Sequence, residues 1–292
     1  MQIIKSPIAM LRKAEAIRRR GKSIGLVPTM GALHEGHLSL IRRSVKDNDF
    51  TIVSIFVNPA QFAPNEDLTK YPRAFKADCH AAQKVGADFI FHPSVSDIYP
   101  TDFQTHVVPG DIAEKLEGAA RPGHFRGVAT ICLKLFNITK PHRAYFGQKD
   151  AQQLAVIKKM VADLNLDLKI VGCPIVRTDL GVAMSSRHAY LSEDELSKAA
   201  VIHKSLKAAE KEIKAGQKSI AKIHDIMTKT IESQRGLTVE YISFNRWDDL
   251  VDVSSISGKI VVSLVVRIGK VRLLDNIIIN TCALLSIRSA EK

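Results

Sequence analysis

Ile24-Gly25-Leu26-Val27-Pro28-Thr29-Met30-Gly31-Ala32-Leu33-His34-Glu35-Gly36-His37 is the stretch on which the reading of this chain turns. Ile24 to Val27 is a short apolar run with the character of a strand, and an amphipathic helix starts near Gly36. A glycine-containing loop joins the two. Such a loop presents unpaired backbone N–H groups and the positive end of a helix dipole to whatever sits above it. His34 and His37, three residues apart, share one face of that mouth and add imidazole donors. The arrangement suits a nucleotide whose phosphates gain charge during reaction. Two other readings stay open on these residues alone: a metal-binding pair, and a capped helix start facing solvent. Against the metal, the zinc-protease pattern His-Glu-x-x-His spaces its ligands one residue further apart, with no glycine required between them.

On either side of this stretch, strands and helices alternate. Ser6-Pro7 offers a cap and a first-position proline for a helix that Gly21 ends. Residues 51–57 are β-branched and almost continuously apolar, as in a buried parallel strand. A helix over 74–85, a strand over 88–92, a helix over 128–139 and a short strand over 143–146 follow. The helix over 151–164 aligns Leu154, Ile157, Val161 and Leu164 on one face, and 168–173 is a further strand. This alternation predicts an α/β fold, a Rossmann-like doubly wound parallel sheet over residues 1–175. Residues 176–292 change character, with helices over 193–214 and 219–234 and strands over 238–244, 259–266 and 276–280. They predict a smaller C-terminal α+β domain, with a hinge within 176–186.

With 292 residues, 46% hydrophobic and 25% charged, the chain can bury a substantial core and is not of disordered composition. No apolar run approaches the ~18 residues of a membrane span. Cys79, Cys132, Cys173 and Cys282 form no Cys-x-x-Cys pair and read as reduced thiols, which predicts a cytoplasmic protein. The formal net charge of +12 raises a nucleic-acid surface as an alternative. Aromatic residues, which that function interleaves with basic ones, are only 6% of the chain, and many lysines are scattered along the helices after Leu196 among glutamates and alanines. A solvated face whose field draws in anionic substrates is the expectation, with no nucleic-acid or membrane partner.

In an open α/β sheet, ligands bind beyond the carboxyl ends of the strands, so the polar loops there are the candidates. Asn58-Pro59-Ala60-Gln61-Phe62 sets two amides around a rigid turn; amides both donate and accept, as hydroxyl- and carboxylate-bearing substrates require. Glu117 and Arg121 stand four apart, which predicts an ion pair, ahead of the basic loop Pro122-Gly123-His124-Phe125-Arg126-Gly127. Gly147-Gln148-Lys149-Asp150 leads into the helix of Gln152 and Gln153. Lys149 suits a phosphate there, and Asp150 a helix cap or a ribose. In the hinge, Met184-Ser185-Ser186-Arg187 gathers two hydroxyls and a guanidinium into a compact anion clamp able to close on a triphosphate.

Taken together, the segments 28–37, 56–62, 121–127, 147–154 and 184–187 resemble the pantothenate synthetase (pantoate–β-alanine ligase) family, within the nucleotidylyltransferases that carry a His-x-Gly-His loop. The resemblance covers about 275 residues, strongest before Leu191. It implies an AMP-forming ligase, an acid–amino-acid ligase that joins pantoate to β-alanine through a pantoyl adenylate, with ATP as substrate, Mg2+ on its phosphates and a homodimeric assembly. It also implies the site. Met30, Gly31, Ala32, Leu33, His34, Glu35, Gly36 and His37 would line the ATP site, together with Gly147, Gln148, Lys149, Asp150, Val176, Met184, Ser185, Ser186 and Arg187. Gln61 and Gln153 would bind pantoate, and Gln61 and Asn58 β-alanine. His37, in the family's proton-donor role, His34, Lys149 and Arg187 would act on the phosphates. None of these is a metal ligand. Gln148 departs from the glutamate usual in the family, and Val265 and Val266 stand where alanines are usual.

Overall fold

The structure, a computed structural model, describes residues 1–64, 66 and 68–281; Cys282 lies outside them. The chain divides into two compact units. Met1–Gln148 and Gln152–Pro174 form the first; Lys149–Ala151 and the residues from Ile175 onward form the second.

The first unit runs β1 (Gln2–Ile4), α1 (Pro7–Arg19), β2 (Ile24–Thr29), α2 (Glu35–Asp47), β3 (Phe50–Ile55), α3 (Phe75–Lys84), β4 (Phe89–Phe91), α4 (Val95–Ile98), α5 (Glu117–Ala120), α6 (His124–Thr139), β5 (Arg143–Gly147), α7 (Ala151–Asp163) and β6 (Lys169–Cys173). Its six strands are all parallel, in the order β1-β4-β3-β2-β5-β6. The chain winds outward from β2 in one direction and from β5 in the other, so the switch point lies between β2 and β5. This is the doubly wound, Rossmann-like sheet that the alternating pattern predicts.

Ser6 caps α1 by accepting from Ala9 N–H, and Pro7 occupies its first turn, where its missing N–H costs nothing. Leu40 and Ile41 of α2 bury themselves against Val27, Val53 and Ile90. Beneath them Gly25 brings strand and helix into close approach: a Cβ there would lie 2.1 Å from Ser44 Oγ. Ser44 Oγ and Thr51 Oγ1 satisfy each other at 2.8 Å in that buried seam.

Two boundaries differ from the sequence reading. The edge strand β1, only three residues long, is too short for a periodic signal. Helix α6 starts at His124, not 128. Gly123 takes a left-handed conformation at its N-cap, and Gly127 is tolerated inside the helix because it packs against the backbone of Ala60.

The second unit contains α8 (Glu193–Lys214), α9 (Ile220–Glu232) and an antiparallel sheet β7 (Leu237–Arg246), β8 (Lys259–Ile268) and β9 (Val271–Asn280). Leu206, Ile223 and Met227 from the helices pack on Ile260, Val262, Leu264 and Val266, one face of β8. Val266 therefore lies in that core, while Val265, paired with Leu274, belongs to the opposite face. Strand β9 begins at Val271, five residues before the apolar pattern suggests. Gly269-Lys270 forms a two-residue hairpin turn, and Arg272 and Asp275 interrupt the apolar alternation. Along α8 and α9, Lys198, Lys207, Lys214 and Lys229 pair with acids three or four residues away, a solvated face. Among the described residues no helix is long and apolar enough to cross a membrane.

Candidate active site

The loop from β2 to α2 corrects one expectation. Its backbone N–H groups are mostly engaged within the protein. Gly31 N–H donates to Thr29 Oγ1 at 3.2 Å, Ala32 N–H to Asp78 Oδ2 at 3.0 Å, and Leu33 N–H to Asp78 Oδ1 at 2.8 Å. Asp78, buried on α3, thus holds the turn in shape with a carboxylate. Gly31 and Ala32 both take left-handed backbone conformations, at φ 86° and 50°, and for Ala32 such a conformation persists only where the surroundings impose it. The sequence carried a signal for Asp78: an acid on the apolar face of a helix, flanked by Phe75, Cys79 and Ala82.

The donors this loop offers are the imidazoles. Gly36 N–H donates to His34 Nδ1 at 3.2 Å, and His34 N–H donates to His37 Nδ1 at 3.3 Å, a reciprocal capping box at the start of α2. A nitrogen that accepts cannot carry the proton, so each neutral ring holds its hydrogen on Nε2. The two rings lie together, centroids 4.1 Å apart. Backbone geometry therefore fixes both histidines as Nε2–H donors. It also argues against the metal reading, since Nδ1 of each ring already accepts a backbone N–H and Nε2 carries the hydrogen, so neither nitrogen has a lone pair to give. Glu35, at the first position of the helix, is exposed and pairs with Arg42.

After β3, Asn58 caps the 3₁₀ turn Pro59–Gln61. Both amides predicted for this loop are buried, Asn58 almost completely. Asn58 is a departure from its expected role as a substrate contact, because its amide is saturated inside the protein. Oδ1 accepts from Ala60 N–H and Tyr99 Oη, and Nδ2 donates to Gln61 Oε1 and Gly127 O. Gln61 Nε2 reaches Met30 Sδ at 3.1 Å, which brings Gln61 to the first residue of the histidine loop.

Arg121 and His124 of the basic loop 121–127 are engaged within the protein. Arg121, predicted to pair with Glu117, closes a bidentate pair on Glu66 through Nε at 2.6 Å and Nη2 at 2.8 Å. Burial works to raise the Glu66 carboxyl; the Arg121 bonds and charge outweigh it and hold the pKa below its usual value. Arg121 Nη1 also donates to His124 Nε2, so His124 keeps its proton on Nδ1 and donates it to Gln61 O at 2.8 Å. The turn that carries Gln61 is thereby clamped from behind.

At the end of β5, Gln148 N–H donates to Cys173 O, extending the β5–β6 ladder past Gly147. Gln152 is buried and consumed, accepting from Glu117 N–H and donating to Ile112 O and Lys115 O. Its neighbour Gln153 is half-buried and Asp150 exposed.

Lys149 belongs to the second unit, where Asn276 Nδ2 donates to its carbonyl at 2.7 Å. There Lys149 and Ser185 line one small cavity with Val182, Ala183 and Asp275. Asp275 holds Arg177 in a bidentate pair behind it. Met184 N–H donates to Val176 O at 3.0 Å, and Arg187 N–H to Ser185 Oγ at 3.2 Å, so Val176 and three of the predicted clamp residues are held in one short folded segment. Burial, and then the charge of Lys149, push the His188 pKa below its ordinary value.

A doubly wound parallel sheet with a pair of oriented imidazole donors at the helix mouth beside its switch point defines a nucleotide-binding α/β protein. The comparisons with known proteins narrow that class. The family described as Pantoate-beta-alanine ligase matches residues 2–278. The pantothenate synthetase of Caldicellulosiruptor bescii is 52% identical over 279 residues, covering 96% of this chain and 99% of the relative. That of Thermotoga petrophila is 48% identical, covering 96% and 100%. Among solved structures, pantothenate synthetase from Thermus thermophilus superposes with a TM-score of 0.89 at 37% identity, covering 95% and 99%. Pantoate-beta-alanine ligase from Francisella tularensis, complexed with beta-gamma ATP and beta-alanine, gives 0.76 at 36% identity, covering 95% and 97%. The chain belongs to the pantoate–β-alanine ligase family.

Proposed function

We propose that this chain uses ATP to condense pantoate with β-alanine, giving pantothenate, AMP and pyrophosphate. The observation that carries the reading is the pair of Nε2–H donors held by backbone bonds at the mouth of α2. In the first step a carboxylate oxygen of pantoate attacks the α-phosphorus, the bond to the β-phosphate oxygen breaks, and pyrophosphate leaves. In the second, the unprotonated amine of β-alanine attacks the acyl carbon, the bond to the phosphate oxygen breaks, AMP leaves and the nitrogen gives up a proton.

Charge accumulates on the non-bridging oxygens and the departing pyrophosphate, so donors aimed there stabilise the transition state more than the ground state. His37 and His34 serve the α-phosphate as Nε2–H hydrogen-bond donors, with His37 donating to the leaving oxygen as its charge develops. Lys149, Ser185, Ser186 and Arg187 serve the outer phosphates. Residues Met30 to Gly36, Gly147, Gln148, Asp150, Val176 and Met184 shape the nucleotide site, and Gln61 and Gln153 hold pantoate, with Gln61 also meeting β-alanine. Mg2+ enters on the ATP phosphates as part of the substrate, as the resemblance to the family implies. Water exclusion protects the acyl adenylate from hydrolysis.

The working form proposed is a cytoplasmic homodimer. The resemblance supports the dimer, and the free thiols of Cys79, Cys132 and Cys173 fit a reducing compartment. Light scattering on the eluting protein measures the first. The reaction itself is tested by exchange of labelled pyrophosphate into ATP. Exchange that requires pantoate and proceeds without β-alanine is expected; absence of exchange, or exchange independent of pantoate, refutes the adenylate route.

A further inference from the structure

We infer that Asn58 and Tyr99 form a positioning relay that fixes the amide of Gln61 with its NH2 toward the substrate, so that this subsite presents N–H donors to an acceptor oxygen. The inference rests on the function proposed above for its substrate, and on geometry alone for the relay.

The polarity of the relay is set by two backbone groups whose roles are not adjustable. Ala60 N–H lies 3.3 Å from Asn58 Oδ1, and Gly127 C=O lies 3.1 Å from Asn58 Nδ2. A backbone N–H only donates and a carbonyl only accepts, so the oxygen of Asn58 must be on one side and its nitrogen on the other. Two consequences follow from that orientation. Tyr99 Oη, 2.9 Å from Oδ1, must donate. The Gln61 atom 3.1 Å from Asn58 Nδ2 must be its oxygen. Gln61 is then left with two N–H groups to place. Its acceptor among the described residues is the thioether of Met30 at 3.1 Å, a weak partner that an oxygen would replace with gain.

Asn58 is 1% exposed and has both lone-pair and both hydrogen positions used. It has nothing left for a ligand, and its work is to hold Gln61. Tyr99 is seated between Phe56 and Phe103, with ring centroids 6.4 and 5.0 Å away, and Lys134 Nζ lies 5.6 Å from its ring. Burial pushes its phenol up to about 12, which keeps it a donor throughout the working pH range.

Two readouts test the relay. In the pyrophosphate exchange assay, Tyr99→Phe keeps the ring packing and removes one hydroxyl. The KM for pantoate is expected to rise about three- to tenfold while the KM for ATP stays within twofold. Asn58→Asp puts an oxygen against Gln61 Oε1 and forces that amide to turn over, and the same KM is expected to rise by about a hundredfold or more. The second readout needs no activity: side-chain amide resonances of Asn58 and Gln61, assigned by their loss in Asn58→Asp and Gln61→Glu. The Asn58 NH2 should exchange slowly with solvent, and Tyr99→Phe should shift it. A pantoate KM unchanged in Tyr99→Phe, or an Asn58 NH2 that exchanges as fast as a surface amide, overturns the relay. Failure of the unmodified chain to exchange pyrophosphate overturns the proposed function instead, and the amide resonances still decide the relay.

Discussion

Gly127→Ala is the most direct probe of how the scaffold sets the amide subsite. The added Cβ would lie 2.2 Å from Ala60 O, 2.4 Å from Ala60 C and 2.6 Å from Gln61 N. All three are backbone atoms, so no side chain can turn away; the turn 59–61 and helix α6 must separate by roughly 1 Å to reach ordinary contact. Alanine would gain about 1 kcal/mol in helix propensity. Overpacking costs about 1–3 kcal/mol, and stretching the 3.1 Å bond from Asn58 Nδ2 to Gly127 O loses about 1 kcal/mol more. The net destabilisation is about 1–3 kcal/mol, a fall in Tm on the order of 3–10 °C for a chain of this size. The larger effect should be on turnover, because displacing a substrate-holding group by about 1 Å can cost ~10²-fold in rate. Thermal unfolding and steady-state kinetics on one preparation measure both. A variant with Tm and kcat/KM equal to those of the unmodified chain would refute the close-packing argument.

Other expectations follow from the same geometry. His37→Ala should lower kcat by about two to four orders of magnitude with Tm little changed; turnover within a few-fold of the original removes His37 from the mechanism. Arg187→Ala should raise the KM for ATP more than that for pantoate, and an unaltered KM for ATP counts against the clamp. Asp78→Ala strands the N–H groups of Ala32 and Leu33 and should cost about 2–4 kcal/mol as well as activity, read by urea unfolding. Acid should weaken the fold before the carboxylates titrate. Ile24 N–H donates to His142 Nδ1 at 3.0 Å, which requires a neutral ring, and burial, then the charges of Arg18 and Arg143, lower the His142 pKa. A folded pKa below the unfolded value of about 6.5 means that the unfolded chain binds the extra proton first. The stability is complete above that pH and falls as pH drops through the folded pKa. His142→Asn should flatten this slope in urea midpoints measured between about pH 7 and pH 5.5; an unchanged slope rules out His142 as its source.

Much of the first unit is legible in the sequence because local signals agree. The Ser6-Pro7 cap, the apolar β2 and β3 segments and the amphipathic helix after His34 each carry their own periodicity or cap chemistry, and parallel strands joined by helices allow few topologies. The histidine loop, the amide turn and the Ser-Ser-Arg segment are legible as polar loops after such elements. What each loop does is not. Arg121 looks paired with Glu117 and meets Glu66; Asn58 looks like a ligand contact and is spent holding Gln61. Asp78 shows locally only as an acid on the apolar face of its helix; that it shapes the nucleotide loop is not legible, because its partners lie 45 and 46 positions away.

The sequence determined the alternation of the longer strands and helices, the family and the chemical types gathered at the strand ends, because these depend on periodicity, caps and short motifs within a few residues. The tertiary structure alone decided which nitrogen of His34 and His37 carries the proton, which end of Gln61 faces outward and where Asp78 spends its charge. Those outcomes depend on backbone donors and acceptors meeting at about 3 Å, often from distant parts of the chain, and the order of residues does not specify such meetings in advance.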